Sequence, residues 1–205
     1  MARQKTTRVK DKWREKKWVT VIAPLAFNNA PIAYIPITDD ESAVGRVVEV
    51  TLFDIVKGDP SQHQFKLYFQ ISKVEGETAT SIFKRYEYAK EFLRSLVRRG
   101  SSLINLIGDV RTKDGYLFII KIIALTQKKL NTSRKHALRL IAKDVMAKTI
   151  PEMTIDQFIQ ATAFGKINSD IMAAVKKVIH VRHIGIEKAK LIRTAEAETI
   201  LLQAK

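Results

Sequence analysis

Six cations lie between Thr126 and Lys143 (Lys128, Lys129, Arg134, Lys135, Arg139 and Lys143), and no Asp or Glu stands among them. A solvated protein face normally mixes signs, so an acid-free run of this density calls for a polyanion to neutralise it. Lysine and arginine without a dense aromatic surface hold RNA by phosphate and sugar rather than read its bases. A second basic group is Met1 to Lys17, with Arg3, Lys5, Arg8, Lys10, Lys12, Arg14, Lys16 and Lys17 against Asp11 and Glu15. It has no hydrophobic period, so residues 1–17 are expected to be disordered when free and to order along phosphates. Lys84, Arg85, Arg111 and Lys113 are expected on loops that add to the same RNA-binding surface. Trp13 and Trp18 are of a type that stacks on bases, but Val19, Val21 and Ile22 follow Trp18, which is therefore expected to start the core. Tyr86 and Tyr116 could also stack, although core or rim packing is the stronger reading.

Catalytic chemistry finds little support. There is no G-x-x-x-x-G-K-[ST] stretch, because Gln160 stands where the first glycine before Gly165-Lys166 would be needed. His180 and His183 form the one close histidine pair, with no third ligand nearby, and read as structural rather than metal-binding. Asp39-Asp40-Glu41 reads as a solvated turn, since catalytic carboxylates converge from separate elements. The chain is expected to be no enzyme and to hold no cofactor and no metal.

The net charge of +15 over 205 residues, with a pI near 10.0, points to nucleic acid or an anionic membrane as partner. No apolar run approaches the roughly 20 residues that span a bilayer, and no signal-type apolar segment follows the basic N-terminus. No cysteine is present, which excludes disulfides and cysteine-held metals. A cytoplasmic protein without a membrane partner is expected.

The elements that must position these cations read as α+β. Asp114-Gly115, between Asp109–Thr112 and Tyr116–Leu125, signals a hairpin whose outgoing strand is buried on both faces apart from Lys121. Further strands are expected at Trp18–Ile22, Ile32–Ile37, Gly45–Phe53, Gln64–Val74, Glu77–Phe83 and Ser102–Thr112, with polar turns at Asp39–Ser42 and Lys57–Pro60. Short strands at this spacing indicate a barrel or sandwich. Tyr86–Arg99 has helical spacing and would cover one end of a barrel. Helices are expected from Thr132 or Ser133 to about Thr149, from the capping box Thr154–Gln157, and from Asn168-Ser169-Asp170. His180–Ile192 reads equally as strand or helix.

In order and spacing, several blocks resemble one family, the small-subunit ribosomal protein S-one-e, also called S-three-a-e, of archaea and the eukaryotic cytosol. They are Lys17-Trp18, Ala23-Pro24, Phe27-Asn28, Gly45 to Leu52, Phe65-Lys66-Leu67, Thr112 to Leu117, Thr126 to Lys129, Asn131 and Arg134 to Ala137. The short C-terminus is similar to archaeal members. The resemblance implies a β-barrel at 18–126 with a helix near 86–99, preceded by the 1–17 arm. It also implies that 127–205 packs on the barrel as one unit, with a late strand near 181–191 and a last helix from Thr194. It further implies a structural role in the small ribosomal subunit, bound to ribosomal RNA and neighbouring ribosomal proteins on the platform near the messenger RNA exit, and no homo-oligomer. His180 departs from the family's usual proline, and Glu187-Lys188 from its usual Arg-Lys pair, so one basic contact near Glu187 is expected to be lost. Two other readings are a free factor binding single-stranded RNA through an OB-like barrel, which needs exposed aromatics on one face, and a basic protein–protein scaffold.

Overall fold

A computed structural model describes residues 13–194. Eight strands are found: β1 Lys17–Ile22, β2 Pro31–Ile37, β3 Val47–Thr51, β4 Phe65–Glu75, β5 Thr78–Tyr88, β6 Leu103–Arg111, β7 Leu117–Thr126 and β8 Val181–Arg193. The helices are α1 Asp40–Ala43, α2 Leu52–Val56, α3 Lys90–Leu96, α4 Thr132–Thr149, α5 Ile155–Ala163 and α6 Lys166–Lys176.

The strands form one branched sheet that does not close, which corrects the expected barrel. β5 is its spine. Along one side it pairs with β4, which pairs in turn with β3. The other side of β5 is shared. Its first residues, Thr78–Thr80, pair in parallel with β1, and its later residues, Arg85–Glu87, pair antiparallel with β8. β1 continues to β2, and β8 to β7 and β6. Among the described residues, β2, β3 and β6 are therefore left as edges.

Several local expectations also shift. Tyr86 and Tyr88 belong to β5 and are buried, so the helix inside the 86–99 window begins only at Lys90. Asp40–Ala43 is a short helix rather than a loop. The strand expected through Phe53 ends at Thr51, because Thr51 and Asp54 form a reciprocal capping box that opens α2. α6 starts at Lys166, after Gly165 in the left-handed conformation (φ 75°), two residues before the expected Asn168. The capping box at Thr154 and Gln157 is formed as expected. β8 resolves the strand-or-helix ambiguity as strand. The helix expected from Thr194 onward lies outside the described residues.

A file of phenylalanines runs through the main core: Phe27 to Phe69 at 6.0 Å, Phe69 to Phe83 at 6.3 Å, Phe83 to Phe118 at 6.2 Å and Phe118 to Phe158 at 4.7 Å. Phe69 and Phe83 come from β4 and β5, Phe118 from β7 and Phe158 from α5, so the file ties helix to sheet. Each fully buried ring contributes on the order of 2–3 kcal/mol. A second, smaller cluster of Val19, Val21, Ile37, Ala43, Ile71 and Ala79 lies beneath β1 and β2. It takes the inward residues of β1, while Trp18 on the alternate face is 61% exposed. Trp18 therefore does not start the core.

Candidate nucleic-acid interface

The hairpin expected at Asp114-Gly115 fixes one end of the basic surface. β6 and β7 pair in unbroken register from Leu103↔Leu125 to Arg111↔Leu117. The turn closes with Gly115 at φ 83°, a conformation that glycine adopts without steric cost. The turn is anchored to the chain before α5: the Lys113 N–H donates to the Met153 carbonyl at 3.0 Å, and the Ile155 N–H donates to Asp114 Oδ2 at 2.7 Å.

The other end forms where β7 runs into α4. Thr126 Oγ1 donates to the Lys128 carbonyl at 2.7 Å, and the Leu130 N–H donates to Ser102 Oγ at 2.9 Å. These bonds hold the connection tight, so Lys128, Lys129 and Arg134 project from a fixed corner and are exposed. The first turn of α4 contains no acidic residue, and the Asn131 side chain makes no cap bond. The positive end of the helix dipole thus adds to the cations around it.

α4 lies along β6 between these ends. Leu138, Ala142 and Met146 face the core, and a Cβ added at Gly108 of β6 would meet Met146 Cε at 3.6 Å, ordinary contact. The expected stripe of Lys135, Arg139 and Lys143 follows the β6 edge, one residue per turn, roughly 6 Å apart. Arg139 is partly used by the protein itself, since its Nε donates to the Asn105 carbonyl at 3.1 Å on the open edge. Lys143 meets Arg111 and Lys113 in a groove of about 890 Å³ between β6 and α4, with Asp109 also on its wall. The structure therefore brings Lys143, Arg111 and Lys113 together at one groove, with Lys135 and Arg139 further along α4 and Lys128, Lys129 and Arg134 at the corner before it and in its first turn, a border of cations along α4 and β6. Among the described residues, no ion pair engages Lys113, Lys128, Lys129, Arg134, Lys135 or Lys143.

Other expected site residues are elsewhere. Lys84 and Arg85 are on β5 rather than a loop. Arg85 lies over the Tyr68 ring at 3.9 Å, and its Nε approaches Glu87 at 3.3 Å. That face of the sheet mixes signs: Lys66 bonds Glu49 at 2.7 Å, and Lys188 reaches Glu87 at 3.8 Å. The hydrogen bond to Lys66 holds the Glu49 carboxyl below its ordinary value. Lys17 pairs with Asp40 at 2.7 Å, and Lys16 sits over the Trp13 ring at 3.8 Å. Arg3, Lys5, Arg8, Lys10 and Lys12 lie outside the described residues.

Of the expected aromatic readers, Tyr86 is buried, and burial pushes its hydroxyl well above the ordinary value. Tyr116 is half-buried against the core. Phe69 is fully buried, and Phe53 and Phe65 partly so, which leaves the β3–β4 face without a phenylalanine platform of OB type. Sequence reasoning missed the exposure of Trp18 and of Tyr34, which is 71% exposed. The alternation of Tyr34 and Pro36 with Ile35 and Ile37 was a signal that could have shown it. His183 packs on Phe92 and Tyr88, while His180 is exposed. Among the described residues, no group of His, Cys, Asp and Glu could hold a metal ion, and no helix is long and apolar enough to cross a membrane.

Comparison with known proteins bears on this arrangement. The profile of the Ribosomal S3Ae family matches residues 4–195. A protein of Desulfurococcus amylolyticus named small ribosomal subunit protein eS1 is 42% identical over 184 residues, 90% of this chain and 86% of that protein. Proteins of the same name from Saccharolobus islandicus and Sulfurisphaera tokodaii are each 40% identical, covering 92% and 91% of this chain and 90% and 96% of their own lengths. Matches of this extent leave no room for a shared fragment alone: the chain belongs to the Ribosomal S3Ae family, a non-enzymatic family of ribosomal proteins.

Proposed function

We propose that the chain is a structural constituent of the small ribosomal subunit that binds ribosomal RNA through its N-terminal arm and the cation border along α4 and β6. The border carries the reading. Lys128, Lys129, Arg134, Lys135 and Lys143, on the corner and helix face, have no ion pair among the described residues and match a phosphate backbone, whereas Lys66, Arg85, Lys121 and Lys188 on the sheet are paired with Glu49, Glu87 and Glu187. The names of the relatives support the ribosomal assignment. The family resemblance adds the site: the platform near the messenger RNA exit and the 3′ end of the ribosomal RNA, in the cytoplasm, among neighbouring small-subunit proteins and as one copy. Residues 1–17 act as an arm that orders on RNA, while 18–126 and 127–205 form the body that carries the border. RNA contacts fall on phosphate and sugar along the border, and Lys84 and Arg85 lie apart from it on β5.

The test is the salt dependence of binding to a purified small-subunit RNA. Each neutralised phosphate adds roughly 0.7 to 0.9 to the slope of log affinity against log salt. Removing Lys128, Lys129, Arg134 and Lys135 together lowers the slope by about 3 if all four contact phosphate. An unchanged slope contradicts the border as the interface.

A further inference from the structure

The structure leaves a second surface unexplained, on the far margin of the sheet from α4. In β1 and β2, Trp18 stands opposite Pro36 and Thr20 opposite Tyr34. Strand alternation places all four side chains on one face. Trp18 is 61% exposed and Tyr34 71% exposed, while Val19, Val21 and Ile37 on the other face are at 1% or less. The two rings are diagonal neighbours, roughly 7 Å apart in sheet geometry, on a ribbon whose back is pinned in the core.

Single exposed hydrophobics need no explanation. Two large aromatics in register on one rigid face are different, because little of their area is used for folding. One cation is held next to them: Arg46 donates to the Pro36 carbonyl at 3.3 Å and to the Ser42 carbonyl at 2.8 Å, which fixes a guanidinium beside Trp18's cross-strand partner. Asp40, the nearby acid, is already neutralised by Lys17 at 2.7 Å. The basic residues 1–17 enter the fold immediately before Trp18. Flat π-faces beside a fixed guanidinium and next in sequence to a basic segment suit unpaired nucleobases with their phosphates, the pattern of single-strand platforms.

We infer that Trp18 and Tyr34 form a stacking platform for unpaired bases of single-stranded RNA, separate from the phosphate-binding border at α4. The platform rests on the RNA-binding reading above and adds what that reading lacks, a place where bases rather than phosphates are held. Trp13 is not part of it, since Lys16 already covers its ring.

Trp13 and Trp18 are the chain's tryptophans, so a full chain carrying Trp13→Phe reports on Trp18 alone. Titration with an unstructured oligouridylate quenches its fluorescence, and titration with an abasic oligonucleotide of the same length does not. Trp18→Leu and Tyr34→Leu each weaken oligouridylate binding roughly tenfold, while Trp18→Phe retains most of it. Affinity for the abasic chain stays at the parental value in all three, which also reports an intact fold. Leucine variants that bind oligouridylate as the parent does, or equal quenching by the abasic chain, overturn the platform and leave the phosphate border standing. A parent chain that binds neither oligonucleotide overturns the RNA-binding reading itself.

Discussion

The Asp114 carboxylate, at the tip of the β6–β7 hairpin, accepts the backbone N–H of Ile155 at 2.7 Å, at the first residue of α5. One side chain thus joins the turn that ends the buried hairpin to the helix that supplies Phe158 to the core. An early helical N–H lacks an intrahelical acceptor, and a carboxylate also suits the positive end of the helix. With Lys113 bonded to the Met153 carbonyl, the hairpin tip that carries Lys113 is tied at two points to the segment that follows α4.

Asp114→Ala removes this acceptor and is expected to lower stability by about 1 kcal/mol, the usual loss of a helix cap. Asp114→Asn retains a carbonyl acceptor and loses less. Urea midpoints of the two variants, compared at constant slope, measure the difference. Midpoints that coincide with the parent's contradict the anchoring.

Lys121, the one charge in the apolar run of β7, bonds Glu187 of β8 at 2.8 Å, with side-chain exposures of 31% and 16%. Glu187 is therefore used within the sheet. Glu187→Gln is expected to cost roughly 1–2 kcal/mol, after allowance for the solvent that still reaches the pair. Glu187→Arg costs more, because it sets two cations side by side. The thermal midpoints should fall in that order, and an arginine variant as stable as the glutamine one would remove the pair from the account.

His183 gives the fold a pH dependence. Burial first, then the Arg182 charge, lowers its pKa below the ordinary 6.5. Its Nε2 is buried without a hydrogen-bond partner among the described residues. On acidification the unfolded chain takes up the proton near 6.5, while the folded chain resists it. This contribution to stability is therefore complete above that value and is lost as pH falls toward the depressed folded one. The slope is at most about 1.4 kcal/mol per pH unit. His183→Phe keeps a ring against Phe92 and Tyr88 and removes the proton, so its urea midpoint should change less between about pH 7 and about pH 5 than the parent's. Parallel curves for the two chains would assign the acid sensitivity to other groups.

Local signals were legible where the interaction is local. The Thr154–Gln157 capping box, the Asp114-Gly115 turn and the helical period of Leu138 and Ile141 each depend on residues a few positions apart, and the structure forms all three. Sheet closure is a different problem. Whether β5 gives its second side to one strand or divides it between β1 and β8 is decided by pairings across the whole chain, and no alternation in Thr78–Tyr88 encodes that. Trp18 failed for a related reason: alternation shows that β1 has two faces, but the partner layer decides which is covered. At Gly185 of β8 a Cβ would fall inside the buried Tyr88 hydroxyl, a constraint set by β5 about a hundred residues earlier that nothing near Gly185 reveals. The acid-free run was legible as a charge pattern, whereas the use of Arg139 on the open β6 edge needed the fold.

The central claim is that the cation border attaches this chain to the small subunit. Co-sedimentation of the tagged chain from cell lysate on sucrose gradients, at low and then raised salt, tests it most directly, with Arg134→Glu/Lys135→Glu run beside the parent. Both side chains are solvent-accessible on α4, so the double variant should fold. The account predicts that the parent runs with small subunits and persists at moderate salt, and that the double reversal stays in the light fractions. A reversed chain that still travels with the subunit through the same salt range would contradict it.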